Sequence, residues 1–143
     1  MTNVAQVLQD KAEQSIFTIT PESTVLEAIT LMADKGIGAV VVTQQDKVVG
    51  ILSERDYARK VMLMERTSTE TTVQEIMTAK VLTVSKSTSI ENCLTLMTER
   101  HLRHLPVVEN DKLVGLISIG DLVKAIMDDQ RKLIEQLQQY IAS

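Results

Sequence analysis

The chain repeats itself, and that constrains its fold more than any other feature. Displacing the 143-residue sequence by 65 positions aligns Thr18 with Thr83, Thr30-Leu31-Met32 with Thr95-Leu96-Met97, and Val42 with Val107. Asp46-Lys47 then meets Asp111-Lys112, Val49-Gly50 meets Val114-Gly115, Ser53 meets Ser118, Asp56 meets Asp121 and Met62 meets Met127, with no gap. Most other pairs are conservative, such as Ile19 with Val84, Lys35 with Arg100 and Val61 with Ile126. A lead-in segment recurs at a displacement of 69, where Val4-Ala5-Gln6-Val7-Leu8 resembles Val73-Gln74-Glu75-Ile76-Met77. The first half therefore carries four extra residues, within 9–15. Residues 65–72 are polar and rich in Ser and Thr, as a linker should be. The expected organisation is one repeat over 4–64, a linker over 65–72, a second repeat over 73–128 and a helical extension over 129–143.

Each half reads the same way. A strand is expected over 16–20 or 81–85, then an amphipathic helix with Val25, Ile29 and Met32, or Ile90, Leu94 and Met97, at helical spacing. Thr24 and Glu27 have capping-box spacing, and Gly36 is a natural helix stop. A buried-looking strand follows over 37–43 or 102–108, a turn over 44–47 or 109–112, a third strand over 48–52 or 113–117, and a second helix from Ser53 or Ser118. Pro106 inside a strand pattern suggests an edge or a bulge. One β-α-β-β-α half is too small to cover both its sheet and its helices. The expected fold class is therefore α/β, two β-α-β-β-α repeats packed with pseudo-two-fold symmetry and presenting two equivalent clefts.

Composition removes several classes of function. The single cysteine, Cys93, excludes a disulfide framework and a Cys-based zinc site, and two histidines are too few for a His-rich metal centre. No apolar run approaches the ~20 residues of a membrane span, and the first ten residues hold no Lys or Arg, so neither a membrane segment nor a signal peptide is expected. The net charge of −4 argues against a broad nucleic-acid surface. A lone free thiol fits a reducing, cytoplasmic setting. Cys93 lies on the inward stripe of its helix opposite Ala28, which reads as a small buried residue rather than a nucleophile. Met32, Met62, Met97 and Met127 recur at equivalent apolar positions and read as core filler.

The order and spacing of these segments resemble a pair of cystathionine-β-synthase (CBS) domains, the tandem regulatory unit called a Bateman module. The resemblance rests on Thr18-Ile19-Thr20-Pro21, residues 32–42, and Gly50-Ile51-Leu52-Ser53-Glu54-Arg55-Asp56. In the second half it rests on Glu75-Ile76-Met77-Thr78, Arg103-His104-Leu105-Pro106-Val107, and Gly115-Leu116-Ile117-Ser118-Ile119-Gly120-Asp121. It implies a stand-alone sensor of adenosine compounds, with AMP, ADP, ATP, NAD and S-adenosylmethionine as the ligands of the family. No cofactor is required by this reading.

The paired Gly-x-x-Ser-x-x-Asp motifs have a local reading as capping boxes, with Ser as N-cap and Asp at the third helical position. That reading does not exclude a second role. An ionised carboxylate accepts hydrogen bonds from two vicinal hydroxyls, such as a ribose diol. The resemblance assigns Asp56 and Asp121 to ribose, and Ser53 and Ser118 to phosphate or ribose, beside helix-start amides that suit an anion. It also sets Arg103 and His104 against the ligand phosphate, where the planar guanidinium fork donates bidentately. Their first-half equivalents, Gly38 and Ala39, carry no charge but let a flat ring approach the backbone, so adenine is expected against Ile37, Gly38 and Ala39 in one cleft. Arg55 is a candidate for a second phosphate, or pairs with Glu54 or a partner chain. Gly120 leaves its cleft more open. Ser15, Ile16 and Phe17, with Lys80 and Val81, lie where relatives wall the adenine.

Beyond Leu122 the second helix continues, with Ile126, Gln130, Leu133, Leu137 and Tyr140 spaced alternately by four and three. This stripe favours a partner contact, a homodimer, over packing on its own body. No nucleophile–base pair, P-loop or G-x-G-x-x-G is present, so an enzyme is not expected. The reading is an AMP-type regulatory module acting through a ligand-dependent conformational or oligomeric change on a target the sequence does not name. The alternatives are an NAD(H)-binding CBS protein and a protein-interaction scaffold with unoccupied clefts.

Overall fold

The computed structural model describes residues 2–11 and 15–142. In chain order it contains α1 (Val4–Asp10), β1 (Thr18–Ile19), α2 (Val25–Lys35), β2 (Ala39–Gln44), β3 (Lys47–Ser53), α3 (Glu54–Tyr57), α4 (Val73–Ile76), α5 (Ile90–Arg100), β4 (His104–Glu109), β5 (Lys112–Ser118) and α6 (Ile119–Ala142). This is the expected mixed α/β architecture, with helices and short sheets repeated twice. The four-residue insertion expected within 9–15 falls partly on residues 12–14, outside the described residues.

The elements form where their chemistry dictates. Thr24 caps α2 by accepting from the Glu27 N–H, and Gly36 ends it at φ 64°, a left-handed conformation that suits glycine. His101 ends α5 in the same conformation at φ 56°. Two-residue hairpin loops join β2 to β3 through Gln45 and Asp46, and β4 to β5 through Asn110 and Asp111, all four at positive φ. These primed turns match the twist of the flanking strands, which explains the Gln-Asp and Asn-Asp pairs. β1 pairs parallel with β2, and β2 antiparallel with β3. The first strand of the second repeat contracts to one bridge, Val84 with Val107. Pro106 is buried inside β4, and its carbonyl accepts from the Val84 N–H at 3.0 Å.

Two compact units emerge, and they do not follow the order of the repeats. One comprises Met1–Gln14, Thr83–Val108 and Gly115–Ser143, the other Ser15–Leu82 and Glu109–Val114. Each is the body of one repeat completed by the lead-in of the other. In the first unit, the α1 cap Asn3 bridges Ser89, the cap of α5, and the Val4 N–H donates to the Thr88 carbonyl at 2.9 Å. In the second, the α4 cap Thr72 bridges Thr24, the cap of α2, and the Val73 N–H donates to the Ser23 carbonyl at 2.8 Å. Asn3 with Gln6 and Thr72 with Glu75 form equivalent capping boxes.

The cores are equivalent too. Val25, Ala28, Met32, Val40, Val42, Leu52, Val73 and Ile76 are buried together in the second unit. Their counterparts Ile90, Cys93, Met97, Leu105, Val107, Ile117, Val4 and Val7 are buried in the first. Burial pushes the Cys93 thiol pKa up, which keeps it protonated and inert. Two of the four methionines expected in the core are not there. Met32 and Met97 are buried, but Met62 and Met127 are exposed. Met62 closes a π-helical turn, Ala58–Met62, that follows α3, whereas Met127 lies on a solvent-facing stripe of α6.

Candidate functional site

In the first unit the site is built at the start of α6. The Ser118 N–H donates to Asp121 Oδ2 at 2.9 Å, and the Asp121 N–H donates to Ser118 Oγ at 3.1 Å, a reciprocal cap. The Ile119 N–H donates to the Arg103 carbonyl at 2.9 Å, tying the residues ahead of β4 to the helix start. The structure thus brings Arg103, His104, Ser118, Gly120 and Asp121 into one neighbourhood. His104 is half-buried, and its imidazole pKa is lowered, chiefly by burial. The Asp121 carboxylate opposes that shift, and Lys11 and Arg103 add to it. The exposed Gly120 leaves the first turn of α6 open, with only Ser118 Oγ near the position a Cβ would take, at 3.7 Å.

Lys11 is the residue the motifs did not reveal. Its ammonium lies 3.0 Å from Asp121 Oδ2 and donates to the Leu116 carbonyl at 2.8 Å. A signal was available: Lys11 is the counterpart of Lys80 at the lead-in displacement of 69. Asp121 and Lys11 also line a cavity of about 380 Å³ between α1 and α6, together with Thr2, Gln6, Lys124 and Lys132. Among its described lining residues are neither Ser118 nor Arg103 nor His104, so this cavity adjoins the Ser–Asp motif without containing it.

The second unit repeats the arrangement on a shorter helix. Both the Ser53 N–H and its hydroxyl donate to Asp56 Oδ2, at 3.0 and 3.1 Å, and the Asp56 N–H returns to Ser53 Oγ at 3.1 Å. The Glu54 N–H donates to the Gly38 carbonyl at 3.0 Å, the counterpart of the Ile119–Arg103 tie. Lys60 sits 3.5 Å from Asp56 Oδ1 and donates to the Ile76 carbonyl at 2.9 Å. Gly38 has nothing within 4 Å of a notional Cβ, so space is open above its backbone, beside Ile37 and the buried Ala39. Arg55 and Lys80 are exposed, and Val81 is half-buried. Ser15 and Ile16 are exposed, and Phe17 is half-buried with the Lys35 ammonium 5.2 Å from its ring centre.

Among the described residues no helix is long and apolar enough to cross a membrane, and no group of three or more His, Cys, Asp or Glu is placed to hold a metal ion.

Comparison with known proteins matches the CBS domain family model at residues 5–63 and 73–128. A solved structure described as a candidate signal-transduction protein with CBS domains from Burkholderia ambifaria MC40-6 is 55% identical, covers 90% of this chain and 96% of its own, and superposes with a TM-score of 0.86. A mitochondrial CBS domain-containing protein of Arabidopsis thaliana is 35% identical over 98% of this chain and 72% of its own. At 23% identity, 84% coverage of this chain and 89% of its own, and a TM-score of 0.75, a CBS domain protein from Pyrobaculum aerophilum complexed with AMP shares the fold. So does a CBS domain pair in complex with 5′-methylthioadenosine and S-adenosyl-L-methionine, at 21% identity, 90% and 98% coverage, and a TM-score of 0.78. With both repeats matched and the duplicated Ser–Asp motifs in equivalent settings, the chain belongs to the CBS domain family.

Proposed function

We propose that this protein is a regulatory module that binds an adenosine nucleotide, AMP first among the candidates, at the start of α6. The observation that carries the reading is the tie from the Ile119 N–H to the Arg103 carbonyl beside the Ser118–Asp121 cap. It sets an acceptor-only carboxylate, a hydroxyl, a guanidinium-bearing residue and an imidazole in one neighbourhood. Asp121 takes the ribose diol, Ser118 and the first-turn amides take the phosphate edge, and Arg103 and His104 neutralise phosphate charge. The AMP and S-adenosylmethionine complexes of fold-level relatives support an adenosine ligand. Asp56 and Ser53, with Gly38 open beside them, form a second site of the same design without the basic pair. The open backbone at Gly38 and Gly120 keeps NAD(H) as the second reading. Bound ligand acts on a downstream protein by favouring the conformation or assembly it binds better. A free, inert thiol suits a reducing compartment such as the cytoplasm.

The test is calorimetry with a thermal-shift series of AMP, ADP, ATP, NAD, NADH and S-adenosylmethionine. At a hundred times Kd, AMP should add about 2.7 kcal/mol of stability, roughly 5–10 °C for a chain of this size. Asp121→Ala should weaken binding about 10- to 100-fold, the worth of a charge-assisted hydrogen bond. Unchanged affinity in both Asp121→Ala and Asp56→Ala would discard the ribose assignment. No shift with any ligand would leave the scaffold reading.

His104 gives the binding a pH signature. Unliganded, its pKa lies below the ordinary 6.5, so the unfolded chain binds the proton more readily and stability falls as pH drops through that value. A phosphate beside the ring reverses the preference and draws a proton into the complex. Affinity for AMP should therefore rise as pH falls from about 7.5 to 6. His104→Asn should flatten that slope relative to the unaltered protein, a difference that removes the titration of the phosphate itself. Parallel slopes would take His104 out of the site.

A further inference from the structure

The two units treat the same groove differently. In the unit that holds the body of the first repeat, Lys60 reaches from the π-helical turn after α3 to the lead-in helix α4. Its ammonium donates to the Ile76 carbonyl at 2.9 Å and lies 3.5 Å from Asp56 Oδ1. The counterparts of Asp56 and Lys60 at the displacement of 65 are Asp121 and Ala125, and that of Ile76 at 69 is Val7. All three line the cavity of about 380 Å³ between α1 and α6. A methyl group thus stands where the other repeat sends a four-carbon stem and an ammonium across to the lead-in. The groove stays open at a volume within the ~300–1,000 Å³ of small-ligand pockets. Lys11 does not replace Lys60. It engages Asp121 Oδ2, the oxygen that also accepts the Ser118 N–H, and the Leu116 carbonyl. Lys60 engages the other oxygen, Oδ1, of its own aspartate.

We infer that this cavity binds an aliphatic polyamine, seated with one ammonium between the Asp121 carboxylate and the Val7 carbonyl. The wall carries the matching charge. Among its described residues, Asp121, Asp128 and Asp129 are half-buried against one half-buried cation, Lys11, while the exposed rim carries both signs. Thr2 donates to Asp129 at 2.7 Å, and the exposed Arg131 lies 3.5 Å from Asp128, a surface pair of little worth. In the first repeat the positions of Asp128 and Asp129 are held by Leu63 and Met64, so the two acids accompany the loss of the lysine. They stand two turns beyond Asp121 along α6, about 10 Å, a gap that an aliphatic chain bridges with an ammonium at each end. A metal ion is a poorer match, because no group of three or more His, Cys, Asp or Glu among the described residues is placed to hold one. Asp121 serves both this site and the nucleotide reading, but the cavity, the lost lysine and the added acids need no nucleotide.

Calorimetry and thermal shift on the full chain, without nucleotide, test it with 1,4-diaminobutane, spermidine, n-butylamine and 1,4-butanediol as probes. The diamine and the triamine should bind at one site per chain, the monoamine about tenfold or more weaker, and the diol not at all. Ala125→Lys should abolish binding and keep the melting temperature, because the new side chain supplies the ammonium as Lys60 does in the other unit. Met127→Lys adds the same charge at an exposed position of α6 outside the cavity wall and should leave affinity unchanged. Asp128→Asn with Asp129→Asn, which keeps the shape and the acceptor for Thr2, should bring the diamine down to the affinity of the monoamine. No binding of either polyamine at millimolar concentration, equal losses in Ala125→Lys and Met127→Lys, or a diol that binds as well as the diamine would overturn the proposal, whatever a nucleotide does at the Ser118–Asp121 cap.

Discussion

Replacing Val4 with Asp should unfold the body of the second repeat and spare the body of the first. Val4 is fully buried, in the unit that also holds Ile90, Met97, Leu105 and Ile117. An unpaired carboxylate there costs several kcal/mol, against a total of about 5–15 kcal/mol for a typical domain. Hydrogen exchange resolves where the damage falls. Amides of α5, β4 and β5 should lose protection, and those of α2, β2 and β3 should keep it. Loss confined to residues 25–53 would mean that α1 completes its own repeat, and the exchanged arrangement would be wrong. Val73→Asp, the mirror experiment, should reverse the pattern, because Val73 is fully buried in the other unit.

Gly50→Val should be the most damaging single exchange among the glycines, costing about 2–3 kcal/mol. A Cβ at this position would collide with the Met77 side chain and lie 3.1 Å from the Thr78 carbonyl oxygen. The side chain can swing away; the backbone is held, because Ile51 and Thr78 exchange both of their N–H···O bonds at 3.0 and 2.9 Å. Denaturant unfolding should show the loss, and adding Met77→Ala should recover only part of it. Gly115 faces Leu8 in the same way, but its contacts within 3.4 Å are all to a movable side chain, the nearest at 2.6 Å. Gly115→Ala should therefore be milder than Gly50→Ala. Equal effects would place the constraint elsewhere.

The repeat carried most of the architecture, because local chemistry recurs with it. Thr24, Gly36, the two hairpin turns and the Ser–Asp caps are decided within four or five residues, and each appears where its pattern placed it. What one period cannot reveal is which copy a lead-in serves. Val4 and Val73 are equally apolar whether they pack on their own body or on the other. Only long-range hydrogen bonds, such as that from Val4 to Thr88, separate the two arrangements. Met62 and Met127 depart from the core for a related reason: apolarity at equivalent positions does not by itself bury a side chain, and one ends a π-helical turn while the other faces solvent on α6. At the site, Ser118 and Asp121 were legible because a cap has fixed spacing. Lys11 was not, because it reaches Asp121 across more than a hundred positions of sequence and lies outside every motif. Its likeness to Lys80 was visible only at the second displacement.

The exchanged lead-ins set synthesis and completion in opposite directions. The segment through Lys11 leaves the ribosome before its dock at Leu116, which lies 105 positions downstream. Residues 15–82 supply nearly all of the other unit in one stretch, with far shorter loops to close. The lead-in helix thus waits, apolar and unclaimed, while residues 15–82 take shape, and it docks only when residues 83–118 have emerged.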